Sequence, residues 1–166
     1  MYLTPGSLVP FLIGRGLIDT ASIVRGDIQI AELERNNRCF KVVSKHADSF
    51  FVKQIREHED NTVTAIRREA AVYQLAASDR SFEPLARLLP KFFGFDESRH
   101  TVIVEFLGSS ENVHQFHNRI SNYPVEIGRV LGQSLSVFHS ELGRQFSAEM
   151  PDSLFQRQPP WILSFH

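Results

Sequence analysis

Ser49-Phe50-Phe51-Val52-Lys53-Gln54 reads as a buried β-strand that sets a lysine among aromatic and aliphatic residues. Further on, Glu69 sits in Ile66-Arg67-Arg68-Glu69-Ala70-Ala71-Val72-Tyr73, a stretch with helical spacing of its apolar positions. A lysine pointing inward from a strand and a glutamate pointing inward from the following helix are placed to form an ion pair. Such a pair can steer the lysine ammonium onto a phosphate.

Upstream of that strand, Asp27 to Leu33 alternates, with Ile28 and Ile30 on one side and Gln29 and Glu32 among the polar positions. Glu34-Arg35-Asn36-Asn37-Arg38 is a polar turn, and Cys39 to Val43 is the return strand. His46-Ala47-Asp48 is a second turn, so the strand from Phe50 to Ile55 completes a three-stranded antiparallel meander. Ahead of the meander, Thr4-Pro5 opens a helix that carries Leu8, Phe11 and Leu12 and ends at Gly14 or Gly16. A turn and a short helix are expected between Leu17 and Val24.

Downstream, Glu57 to Asn61 reads as a charged loop, and a helix runs from Asn61 or Thr62 to about Ala77. Val63, Ile66, Ala70 and Tyr73 share one face of it, and Glu69 lies on that side. A short apolar turn or helix spans Leu85 to Leu89. Pro90 to Phe95 begins a second hairpin, turned by Asp96-Glu97-Ser98-Arg99, and Thr101 to Leu107 is the most apolar strand of the chain. Gly108-Ser109-Ser110 is a linker, followed by a polar helix over Glu111 to Arg119. The strongest helical pattern runs from Pro124 to Leu142, with Ile127, Val130, Leu131, Ser134, Leu135, Phe138 and Leu142 in one stripe. Beyond Gly143 the pattern decays among Pro151, Pro159 and Pro160.

The composition fits a globular chain. Of 166 residues, 42% are hydrophobic and 22% charged, which supports a folded core. The net charge is −1 with both signs interspersed, so no field selects nucleic acid or an anionic membrane as partner. Cys39 is the only cysteine, which excludes an intrachain disulfide and fits a cytoplasmic location. The start lacks the pattern of a signal peptide, and no uncharged apolar run is long enough to span a membrane.

The order of three strands, helix, two strands, glycine linker and helix carries a resemblance. The chain resembles the aminoglycoside phosphotransferase and choline kinase-like group, which has a protein kinase-like fold. The matching stretches are Asn37-Arg38-Cys39-Phe40-Lys41-Val42, Phe51-Val52-Lys53 and Arg68-Glu69. They continue with Leu89-Pro90-Lys91-Phe92-Phe93-Gly94, Val102-Ile103-Val104-Glu105-Phe106-Leu107-Gly108 and Leu131-Gly132-Gln133-Ser134-Leu135-Ser136-Val137-Phe138-His139. The resemblance therefore covers about residues 25–142.

The resemblance implies an α+β fold: a small lobe of five antiparallel strands plus a helix over residues 1–107, then a hinge and the first helices of an incomplete large lobe over 108–166. It implies transfer of the γ-phosphoryl of ATP to the hydroxyl of a small molecule, with Mg²⁺. Lys53 would bind the ATP phosphates and Glu69 would hold it. Glu105, Phe106 and Leu107 would be the hinge that reads the adenine edge. Phe51 reads either as core or as a platform that stacks on adenine, and Asn37 matches a residue of the family's phosphate-covering turn.

Two departures accompany the likeness. The turn Glu34 to Arg38 contains no glycine. The family's catalytic aspartate, and the asparagine and second aspartate that hold Mg²⁺, have no counterpart: Asp152, in Pro151-Asp152-Ser153, is the only aspartate after Leu142, and no asparagine follows it. The expectation is an ATP-binding portion that does not catalyse transfer alone. The alternative is a non-catalytic remnant that serves as an interaction module, with the Pro124–Leu142 stripe favouring self-association. His114 and His117 are spaced to share a helix face but lack a third metal ligand, and His139 reads as a structural histidine.

Overall fold

The computed structural model describes residues 2–33, 37–78 and 80–145, with side chains described as far as residue 141. The turn residues Glu34, Arg35 and Asn36, together with Asp152 and the apolar segment Trp161 to Phe165, lie outside the described residues.

The fold is α+β, built on one five-stranded antiparallel sheet. Its strands are β1 (Ile28–Leu33), β2 (Arg38–Ser44), β3 (Phe50–Gln54), β4 (Phe92–Asp96) and β5 (Thr101–Glu105), in the spatial order β1-β2-β3-β5-β4. The first three form the expected meander. The second hairpin then inserts its return strand, β5, beside β3, so that the most apolar strand takes an interior place with four of its five residues buried.

Alternation along the strands divides the side chains between two faces. Phe40 and Val42 of β2, Phe50 and Val52 of β3 and Ile103 of β5 point to one face. There they meet Leu3, the helix α1 (Pro5–Gly14) through Leu8 and Leu12, and Ile18 ahead of the short helix α2 (Thr20–Val24). Phe40, Leu8 and Leu12 are fully buried, and each such side chain contributes about 1.5–3 kcal/mol relative to exposure. The helix α3 (Asp60–Ser78) covers part of the opposite face, where Ile66 and Ala70 pack on Ile55, Val102 and Val104.

Local chemistry sets the ends of these elements. Thr4 caps α1 in a reciprocal capping box with Ser7, and Pro5 occupies the first turn, where no amide hydrogen is needed. The helix closes with Gly16 N–H donating to Ile13 O and Leu17 N–H to Leu12 O, and Gly16 takes the φ of +68° that this closure requires. Helix α3 starts at Asp60, a little earlier than its apolar pattern, with the acid favourably placed in its first turn. Strand β5 ends at Glu105 rather than Leu107, because the chain turns there: Gly108 N–H donates to Phe106 O and Ser110 N–H to Leu107 O.

Two polar ties join the layers. Gln54, 1% exposed, accepts a 2.7 Å bond from Leu3 N–H and donates to Arg99 O at 3.1 Å. Asp96 accepts from Arg15 Nη2 at 2.8 Å and from Arg99 Nη1 at 3.2 Å, which locks α1 to the β4–β5 hairpin.

After β5 come α5 (Val113–Ile120), capped by Asn112 with Gln115, and α6 (Val125–Gln145). Helix α6 approaches α4 (Glu83–Ala86), which follows a short 3₁₀ turn over Arg80–Phe82. The stripe expected on α6 is present but only partly covered: Ile127, Ser134 and Phe138 are half-buried, while Val130, Leu131 and Leu135 are 46%, 47% and 58% exposed. His139 is exposed, so its expected structural role is not seen. Among the described residues no helix is long and apolar enough to cross a membrane.

Candidate functional site: a lysine-bearing cleft

Strand alternation that buries Phe50 and Val52 on the α1 side necessarily turns Phe51 and Lys53 to the other. Helix α3 does not cover that whole face, and the uncovered part is the roof of a cleft of about 870 Å³. Lys53 reaches across it to Glu69, with Nζ 2.5 Å from Oε2. Their side chains are 26% and 33% exposed, so the pair faces the cleft without being cut off from water.

All seven residues singled out in the sequence line this one cleft. Lys53 and Glu69 stand on β3 and α3. Phe51 shares the roof two residues before Lys53. Asn37 marks the entry to β2, and Glu105, Phe106 and Leu107 form the wall where β5 leaves the sheet. That wall has a defined polarity. Glu105 N–H donates to Lys91 O and Phe106 N–H to Ser49 O, both at 2.8 Å. Leu107 O accepts from Ser110, through N–H at 3.2 Å and Oγ at 2.7 Å. The Leu107 N–H meets no acceptor among the described residues, which leaves one backbone donor for a ligand.

The structure adds cleft residues that the sequence reading passed over. Lys41, opposite Phe51 on β2, holds its ammonium 4.6 Å from the centroid of the Phe106 ring. Cys39, which is buried, lies opposite Lys53. Both follow from the hairpin register, which period-2 patterning suggests but does not number. The helical pattern places Tyr73 on the apolar face of α3. Tyr73 stacks on Phe92 at 5.6 Å with ring planes 7° apart and also lines the cleft. Burial, and then the neighbouring Glu69 carboxylate, push its phenol above the usual tyrosine range.

The two histidines of α5 do not converge on a metal. His114 Nε2 is 3.0 Å from Asn118 Nδ2, and the His117 ring packs on Tyr123 at 4.3 Å. Among the described residues, no three His, Cys, Asp or Glu side chains gather as ligands for a metal ion.

No protein-family model matches the chain, and no curated protein matches it significantly. The functional reading therefore stands on the geometry of the cleft.

Proposed function

We propose that this chain is the nucleotide-binding portion of a small-molecule phosphotransferase with a kinase-like fold, of the aminoglycoside phosphotransferase and choline kinase-like type. The observation that carries this reading is the Lys53–Glu69 pair facing a cleft with an aromatic roof. A lysine held by a helix glutamate presents its charge to a phosphate without folding back onto the backbone. Phe51 offers a ring face for a base, and the Leu107 N–H offers the edge donor. The cleft volume suits a ligand of nucleotide size. In this reading residues 1–107 act as the small lobe and the segment from Gly108 begins a second one.

The reading covers ATP; no Mg²⁺ ligands are assigned to the described residues, among which no three His, Cys, Asp or Glu side chains gather. The aspartates and asparagine that phosphoryl transfer needs have no matching motif in the 166 residues. Binding, rather than turnover, is the function proposed for these residues by themselves.

Calorimetry of the chain with Mg-ATP tests the reading. Saturable binding that Lys53→Met weakens about tenfold or more supports it, a loss of about 1.4 kcal/mol. Absence of binding to the wild type, or equal binding by the variant, sinks it.

A second reading, an interaction module, is favoured by one observation. Val130, Leu131 and Leu135 leave a contiguous apolar strip on α6 open to solvent, which is suited to self-association.

A further inference from the structure

The cleft holds a second lysine that the pairing with Glu69 does not explain. In the β2–β3 register Lys41 lies across from Phe51, and Cys39 lies across from Lys53. Lys41 and Lys53 are therefore diagonal neighbours on the cleft-facing side of the sheet, a relation that sets residues roughly 7–8 Å apart. Lysine side chains are long enough to converge from that spacing on one extended anion.

The two differ in how their charge is met. Lys53 has Glu69. Among the described residues Lys41 has no carboxylate within ion-pair distance, and the group that meets its ammonium is the Phe106 ring. Lys41 as a residue is half-buried on the cleft side of the sheet. A cation over a phenylalanine ring is held more weakly than one that donates charge-assisted hydrogen bonds to a phosphate. An anion entering the cleft can therefore draw the ammonium off the ring.

A phosphate chain is commonly wrapped by backbone amides of a glycine-rich turn, and the stretch Glu34 to Arg38 contains no glycine. We infer that Lys41 is a second anion-binding lysine, and that Lys41 and Lys53 together clamp the polyphosphate chain of a nucleoside di- or triphosphate. Lys41 adds its positive charge from the roof of the cleft. This deepens the proposed nucleotide reading and rests on it for the base, but the clamp itself requires only the phosphates.

The test is calorimetry on the full chain with adenosine, ADP and inorganic tripolyphosphate, comparing wild type, Lys41→Met and Lys41→Arg. Methionine keeps the apolar length against Phe106 and removes the charge. The expected result is about tenfold weaker ADP and tripolyphosphate binding by Lys41→Met, unchanged adenosine binding, and recovery in Lys41→Arg. Lys41→Gln carries the same expectation if Lys41→Met does not fold, and circular dichroism decides that point. Binding of ADP that both Lys41→Met and Lys41→Gln leave unchanged or tighten overturns the clamp while the nucleotide reading stands. Tripolyphosphate binding that depends on Lys41, with no added affinity for ADP, keeps the clamp and removes the base. Absence of both tripolyphosphate and ADP binding to the wild type overturns both.

Discussion

Asp96→Asn is the substitution whose consequence the structure sets out most fully. The Asp96 side chain is 9% exposed and accepts four hydrogen bonds. They come from Ser98 Oγ at 2.7 Å, Arg15 Nη2 at 2.8 Å, Arg99 N–H at 2.9 Å and Arg99 Nη1 at 3.2 Å. Burial by itself would raise its pKa. The bonds from Ser98, Arg15 and the Arg99 amide, with the Arg15 charge, outweigh burial and hold it down to about 2 from the ordinary 3.8. A depression of nearly two units corresponds to about 2 kcal/mol of folding stability.

The sign follows from linkage. The folded-state pKa lies below the unfolded one, so this stability is fully present above about pH 4. It is lost as the pH falls from 4 through 2. Asp96→Asn keeps the shape but removes the charge and turns an amide donor toward donors. Urea unfolding at pH 7 is expected to show a loss of about 2–3 kcal/mol. The gap between wild type and variant should shrink steadily between pH 4 and pH 2. A gap that stays constant over that range would refute the argument, because the depressed carboxylate would then contribute nothing to the tie between α1 and the β4–β5 hairpin.

Further outcomes follow from the same framework. Gln54→Ala leaves Leu3 N–H and Arg99 O without their buried partner and opens a void, so denaturant unfolding should show a loss of about 3 kcal/mol. Gly94 carries a φ of +145° where β4 and β5 slip register, so Gly94→Ala should lower stability by on the order of 1–3 kcal/mol, read as a drop in Tm. Leu131→Glu with Leu135→Glu should abolish any concentration-dependent rise in mass seen by light scattering while leaving the helical circular dichroism signal. A self-association that survives both changes would place the contact elsewhere than on α6.

Most of the fold could be read from local patterns. The three-stranded meander, the α1 cap at Thr4 and the amphipathic α3 rest on near neighbours in sequence. Element ends were less legible. Where β5 leaves the sheet, Phe106 N–H donates to Ser49 O, a partner far away in the chain that no local pattern names. The α6 stripe was visible as a pattern, yet periodicity reports which residues share a face and not what covers it.

The candidate site divides in the same way. The sequence by itself determined that Lys53 shares a strand face with Phe51 and that Glu69 sits on the apolar side of the next helix, since periods of 2 and 3.6 are properties of the backbone. It also determined that Glu34 to Arg38 contains no glycine and that Asp152 is the only aspartate after Leu142. Only the tertiary structure decided that Lys53 and Glu69 meet, and that the hinge-like wall of Glu105 to Leu107 closes the same cleft. It alone placed Lys41 over Phe106 on the roof. Such meetings depend on cross-strand register and on how one layer packs over another, and neither is encoded in the spacing of residues along a single element.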